Sequence, residues 1–352
     1  MNLKTLSNPK ITLKRTLQTA LLFDVFWERW HVHGVSLEDI DTVRQTTTSI
    51  NDWESNWNRL AQQKRTAADQ LLNQGLLVEA EEMYRLASLY YNLIYWIFPA
   101  LNEQKYKWYQ ECLMTTKLAD STSSIKTEYP TISVGNSNCK GRIRVPTNPR
   151  GCIIIVNPID SSKEELFSYE SDFNQSGFVT VSFDGPGQGE SYIHSGQKGN
   201  RIMWQDFIDN VISHTYERFA GTPIYLFGTS LGATWALYGS SHPLVSKTVA
   251  VSPAIEFDHL NLPSYFLQRM DFCNALSPEE RSMPDFNGVN FSSPIMLFHG
   301  QKDLMVPSSD MYNFYNKLPE NKKELIEFEH EGHCCNFKLN EIRKRSIQWF
   351  TS

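Results

Sequence analysis

The sequence predicts an α/β architecture: a mostly parallel sheet with helices on both faces, preceded by an all-helical domain. Three observations predict it. Residues 10–118 contain only Gly34 and Gly75 and read as helix after helix. From about residue 123, short Val-, Ile- and Phe-rich runs alternate with turn residues and amphipathic stretches, which implies β-then-α units and a covered parallel sheet. One such run ends in a glycine-flanked serine at a strand-to-helix turn, Gly228-Thr-Ser230-Leu-Gly232.

In the helical part, Ile11–His33 sets Leu17, Ala20, Leu21, Phe23, Val25, Phe26 and Trp30 at helical spacing. Ser36 with Glu38 and Asp39 reads as a capped helix start, because a side-chain oxygen and early acids satisfy free N–H groups. Leu77–Ala100 carries a broad apolar face from Ala80 to Tyr95. No self-similarity at a fixed period marks a helical repeat array.

In the second part, Cys152–Val156, Phe178–Phe183, Ile224–Phe227, Thr248–Val251, Ile295–Phe298 and Leu325–Phe328 read as buried strands. The helices between and after them are expected at Lys163–Asn174, Met203–Phe219, Leu231–Tyr238, Ser309–Leu318 and Asn340–Phe350. Ile125–Val134 and Gly141–Val145 fit an antiparallel hairpin at one sheet edge, the second ending at Pro146, which cannot donate to a ladder. The expected domains are a helical one over 1–120 and an α/β one over 121–352. Residues 255–293 lack the alternation and are the place for a lid insertion.

Composition narrows the function. The formal net charge of -6 leaves no global field for a polyphosphate, so no nucleic-acid partner is expected. Six cysteines without a C-x-x-C pair support neither a disulfide scaffold nor a zinc site, and no metal is expected. Met1–Thr16 carries no apolar h-region, and Tyr90–Leu101 is too short to span a bilayer. The chain therefore reads as cytoplasmic, with no membrane partner and no cofactor.

The strained turn of a G-x-S-x-G motif exposes its central hydroxyl, here Ser230, at the carboxyl end of a strand. A serine hydroxyl needs a positioned base and an orienting acid. Ile295-Met-Leu-Phe-His-Gly-Gln-Lys-Asp303 ends one strand in a carboxylate, and Phe328-Glu-His330-Glu-Gly-His333 ends the last strand with two imidazoles. The assignment is Asp303 as acid and His333 as base. His330 is the rival base, lying nearer the strand end, whereas Gly332 frees the chain to turn His333 inward. Glu256 and Asp258, after the strand that follows the nucleophile helix, offer the rival acid position, with Glu256 also a candidate auxiliary carboxylate. The oxyanion donors are expected to be the N–H groups of Leu231 and Ile159, since Pro158 has none. Asp184-Gly-Pro-Gly-Gln-Gly-Glu-Ser191 lacks P-loop and dinucleotide spacing and reads as the turn that ends a core strand.

Together these residues resemble the FrsA-like branch of the α/β-hydrolases, which includes a dihydroxypseudooxynicotine hydrolase and the polyketide-shortening hydrolases of pigment pathways. The matching pieces are Asp160-Ser-Ser-Lys-Glu-Glu165, Asp184–Ser191, Gly228–Gly232, Gly300-Gln-Lys-Asp303, Glu331-Gly-His333 and, in the helical part, Glu79–Tyr91. The chain departs from the branch at Asn157-Pro158, where relatives tend to have Gly-Gly. The resemblance implies an α/β-hydrolase core under an N-terminal helical cap, with substrate held between them. It also implies a role for Glu256 in carbon–carbon cleavage.

The function expected is that of a serine hydrolase with a Ser-His-Asp triad and an acyl-enzyme. It would cleave a C–C bond of a polyketide or aryl 1,3-dicarbonyl, a retro-Claisen shortening. A carboxylesterase or thioesterase, and a non-catalytic binding module on the same fold, are the alternatives. The partner is a small molecule, free or carrier-bound. Trp27, Trp30, Tyr84, Tyr91 and Tyr95 are candidates to bind a planar substrate, against the plainer reading that they form the helical domain's own core. An extended helical arm also suits a homodimer.

Overall fold

The computed structural model describes residues 7–352. The first positions of the helical domain expected over 1–120, residues 1–6, lie outside the described residues. The chain divides into two compact units. One runs to Lys126 and takes in Pro263–Cys273; the other comprises Thr127–Leu262 and Asn274–Ser352.

The helical unit contains α1 (Pro9–Leu22), α2 (Val25–Val32), α3 (Leu37–Thr46), α4 (Ile50–Asn73), α5 (Leu77–Ile97) and α6 (Glu103–Thr122). The single helix expected over Ile11–His33 is two, because the chain turns extended at Phe23. Helix starts follow the capping rule. Ser36 Oγ accepts the Asp39 N–H at 3.1 Å, Ser49 Oγ that of Asp52 at 3.2 Å, and Asn102 Oδ1 that of Lys105 at 2.7 Å. Helix α5 packs against both α4 and α6 and is buried along almost its whole second half.

Aromatic rings fill this unit. Trp27 stacks on Trp53 with centroids 5.7 Å apart, Tyr91 stacks on Trp108, and Tyr95 meets Tyr109 at 4.5 Å. Trp30 meets Trp96 edge-on at 5.7 Å. Such pairs add to the burial of large apolar faces, which is the main source of helix stability in a bundle.

The second unit is built on one sheet of nine strands among the described residues. They are β1 (Lys126–Glu128), β2 (Thr131–Val134), β3 (Ser137–Val145), β4 (Gly151–Val156), β5 (Phe178–Phe183), β6 (Ile224–Thr229), β7 (Val245–Val251), β8 (Ile295–Gly300) and β9 (Lys323–Phe328). The order is β1-β3-β5-β4-β6-β7-β8-β9, with β2 paired to β3. β2 and β3 form the antiparallel hairpin, β3 runs antiparallel to β5, and β5 through β9 are parallel. Strands β4, β5, β6 and β8 are buried at every residue, as a sheet covered on both faces requires.

Helices α7 (Phe167–Gln175), α8 (Gly189–Ser195), α9 (Arg201–Arg218) and α10 (Leu231–Gly239) precede β7. Helix α7 starts at Phe167, not Lys163, and α8 occupies the end of the segment read as a turn at Asp184–Ser191. Between β7 and β8 the chain forms α11 (Ser264–Cys273), which belongs to the helical unit, where it packs on α1. The boundary between units also falls at Lys126 rather than at 120, because α6 continues to Thr122. Residues 255–293 are thus divided: α11 joins the helical unit, and the segment from Asn274 returns to the sheet-bearing unit. Helix α12 (Ser308–Lys317) packs Met311 and Phe314 with Ala250 and Leu297 of the sheet, and α13 (Leu339–Thr351) ends the chain.

Among the described residues no helix is long and apolar enough to cross a membrane.

Candidate active site

Strand register sets the site. Val156 pairs with Gly228, Thr229 with Val251, Val251 with Phe298, and Gly300 with Phe328. The carboxyl ends of β4, β6, β8 and β9 therefore stand level, so the loops that follow them bring Ile159, Ser230, Asp303 and His333 to one edge. That edge is where open α/β sheets hold their ligands.

Ser230 has φ 54 and ψ -124, a conformation L-residues rarely adopt, and its N–H donates to Val251 O at 2.9 Å. The flanking glycines permit the turn. A Cβ on Gly228 would stand 2.3 Å from Gly232 O, and one on Gly232 only 2.1 Å from Val156 O. The nucleophile turn thus lies directly against the strand that carries the Ile159 loop.

A continuous chain of hydrogen bonds leads away from the serine. Ser230 Oγ lies 2.8 Å from His333 Nε2, and His333 Nδ1 lies 2.8 Å from Asp303 Oδ2. Asp303 Oδ1 accepts the N–H groups of Met305 at 2.8 Å and Val306 at 3.0 Å. The Asp303 side chain is fully buried. Burial alone would raise its pKa; the charge and hydrogen bond of His333, with the two N–H donors, outweigh that and hold it below the ordinary carboxylate value. Burial alone would lower His333, but the adjacent Cys334 sulfur and the Asp303 carboxylate raise it well above the ordinary imidazole value.

The loop that carries His333 is pinned by side chains that sequence reasoning did not single out. Ser252 Oγ accepts the Cys334 N–H at 3.1 Å, and Glu331 Oε2 accepts that of Phe337 at 3.1 Å. Gly332 is not what turns the chain: its φ is -91, open to any residue. The left-handed conformations fall instead on Cys334, φ 67, and Cys335, φ 50, whose strain is held by these anchors.

The N–H groups of Leu231 and Ile159 donate to no acceptor among the described residues. The other expected residues lie apart from the hydrogen-bonded chain. His330 and Glu256 are exposed, and Asp258, 79% exposed, pairs with Arg281 at 3.3 Å. Trp27, Trp30, Tyr84, Tyr91 and Tyr95 are all buried in the helical unit, none more than 5% exposed, and Tyr84 Oη donates to Asp69. Their placement matches the packing role weighed against substrate binding. Among the described residues no three His, Cys, Asp or Glu side chains group to hold a metal.

Comparison with known proteins places the fold. The solved structure of 2,6-dihydroxy-pseudo-oxynicotine hydrolase superposes with a TM-score of 0.79 over 92% of this chain and 94% of that one, at 20% identity. A family model described as serine aminopeptidase, S33, matches residues 147–285. The chain has the α/β-hydrolase fold. In sequence, the chain is 22% identical over 324 residues to 2,6-dihydropseudooxynicotine hydrolase of Paenarthrobacter nicotinovorans, covering 88% of this chain and 86% of that protein. It is 23% identical over 228 residues to the hydrolyase poxO of Penicillium oxalicum, covering 59% of this chain and 53% of that protein.

Proposed function

We propose that the protein is a hydrolase acting through Ser230 and an acyl-enzyme, and that its substrate is a polyketide or aryl 1,3-dicarbonyl cleaved at a C–C bond. The observation that carries the reading is the Ser230–His333–Asp303 chain of hydrogen bonds. His333 Nε2 takes the Oγ proton as Ser230 attacks the substrate carbonyl, and the N–H groups of Leu231 and Ile159 hold the oxyanion. As the tetrahedral centre collapses, the C–C bond breaks and its electron pair leaves as an enolate. His333 returns the proton to carbon, releasing a ketone. Water then gives a proton to His333 and adds to the acyl group; Ser230 departs with that proton, releasing an acid.

The choice of C–C cleavage is supported by the resemblance to polyketide-shortening hydrolases and by the similarity to an enzyme named for pseudooxynicotine. The second reading, an ester or thioester hydrolase, uses the same groups and differs only in the leaving group; similarity of fold to an esterase of Pyrococcus furiosus favours it.

The test is product mass after incubation with an aryl 1,3-diketone and a matched aryl ester, with Ser230→Ala beside the native protein. Diketone cleavage that is lost in the variant supports the proposal. Cleavage of the ester alone replaces it with the second reading. Full activity in Ser230→Ala refutes both.

A further inference from the structure

The oxyanion loop is short of the glycines that could let it find its own conformation, and its Pro158 cannot donate. Something must therefore aim the Ile159 N–H. In a trans peptide the carbonyl of one residue and the N–H of the next point in opposite directions. A group that grips the Pro158 carbonyl consequently fixes where the Ile159 N–H points.

The gripping group is Gln188, buried at the start of α8. Its Oε1 accepts the Gly185 N–H at 3.0 Å, which fixes which end of the amide is oxygen. Its Nε2 then donates to Pro158 O at 2.6 Å and to Asn157 O at 3.3 Å. The Ser161 N–H reaches the same Pro158 carbonyl at 3.1 Å.

Further bonds hold the two loops together on either side. Asn157 Nδ2 donates to Phe183 O at 3.1 Å. Asp184 accepts the Lys163 N–H at 2.7 Å, the Lys163 ammonium at 2.8 Å and the Glu190 N–H at 2.8 Å. The Lys163 ammonium also lies 2.9 Å from Glu164 and 3.0 Å from Glu190. This buried ionic cluster makes the loop after β5 a fixed frame from which Gln188 reaches across.

We propose that Gln188 is a positioning residue of the oxyanion hole, holding the Pro158 carbonyl so that the Ile159 N–H faces the oxyanion formed at Ser230. The inference rests on the proposed serine mechanism and adds to it the residue that aims its second donor.

The test uses the full-length protein and a fluorophosphonate, which reacts with an activated serine whatever the natural substrate. Rates are measured as kinact and KI for the native protein, Gln188→Met, Gln188→Glu and Ser230→Ala. Gln188→Met removes the donor, and Gln188→Glu keeps an acceptor for Gly185 while it too loses the donor. Both are expected to lower kinact by about 10²-fold, the loss typical of one oxyanion donor, with KI unchanged. The pH at which labelling sets in, governed by His333, should not move. A folded Gln188→Met or Gln188→Glu with native kinact overturns the proposal, as does a loss expressed only in KI. Should Gln188→Met fail to fold, Gln188→Glu decides the matter on the same readout. Labelling of Ser230→Ala at the native rate instead overturns the serine mechanism itself, so the two failures are distinct.

Discussion

Asp303 meets His333 with only one of its oxygens. Oδ2 lies 2.8 Å from Nδ1, while Oδ1 is committed to the N–H groups of Met305 and Val306. In Asp303→Asn those two donors would keep the amide oxygen, leaving the NH₂ to face His333. Nδ1 would have to accept, the proton would sit on Nε2, and the ring could not take the Ser230 proton. The expected loss in kcat is about 10⁴-fold, as found for this change in serine proteases. Turnover within tenfold of native would show that Asp303 does not set the tautomer of His333.

Activity and stability should run in opposite directions on the alkaline side. His333 works as a base only when neutral, and its pKa is raised well above 6.5, so the acid limb of the activity profile should lie above the ordinary imidazole range. A raised pKa means that folding favours the charged ring. That contribution is complete below 6.5 and is lost as pH rises through the folded value. Asp303, lowered from 3.8, contributes above that value and loses its contribution as pH falls through its folded pKa. Thermal midpoints and rates measured across the same pH series test both signs. Cys334→Ser should move the activity limb to lower pH, and an unmoved limb would remove the sulfur as a cause.

Gly232→Ala should damage both fold and chemistry. Its new methyl would meet backbone oxygen, Val156 O at 2.1 Å and Asn157 O at 2.6 Å, neither of which can rotate aside. Overpacking of this kind costs about 1–3 kcal/mol. Because the displaced strand end leads to Ile159, fluorophosphonate labelling should also slow. Native stability in urea and a native labelling rate together would contradict the close approach.

Arg269→Met should destabilise the helical unit. Arg269 of α11 lies 3.7 Å above the Trp96 ring and donates to Ile97 O at 3.1 Å and to Trp96 O. Those carbonyls end α5 and lack helical partners, so the guanidinium caps a helix from far along the chain. Leaving them buried without that donor is expected to cost about 1–3 kcal/mol each. Urea denaturation followed by tryptophan fluorescence measures it; an unchanged midpoint would refute the capping role.

Much of this was readable in the sequence, for a physical reason. Buried parallel strands are short apolar runs, and β4, β5, β6 and β8 fall within two residues of those read from Val, Ile and Phe content. Ser230, Asp303 and His333 each follow such a run, so local pattern was enough to nominate them. What escaped depends on contacts between distant segments. Nothing near Gln188 announces a partner at Pro158, 30 positions earlier. Helix α11 looked like part of a lid because its anchor, Arg269, meets carbonyls 172 and 173 positions away. Aromatic content raised a substrate question that only burial could address, and the turn credited to Gly332 falls on two cysteines with no sequence signature for left-handed backbone.

The chain passes between the helical and sheet-bearing units three times, at 126–127, 262–263 and 273–274. The helical unit is therefore not a detachable prefix. A fragment ending at residue 126 would lack α11 and expose the α5 carboxyl end, while the remainder would carry a helix parted from its partners α1 and α5. Simple fusion of residues 1–126 to another chain would therefore not transfer the unit, and any graft must transplant α11 together with the first 126 residues.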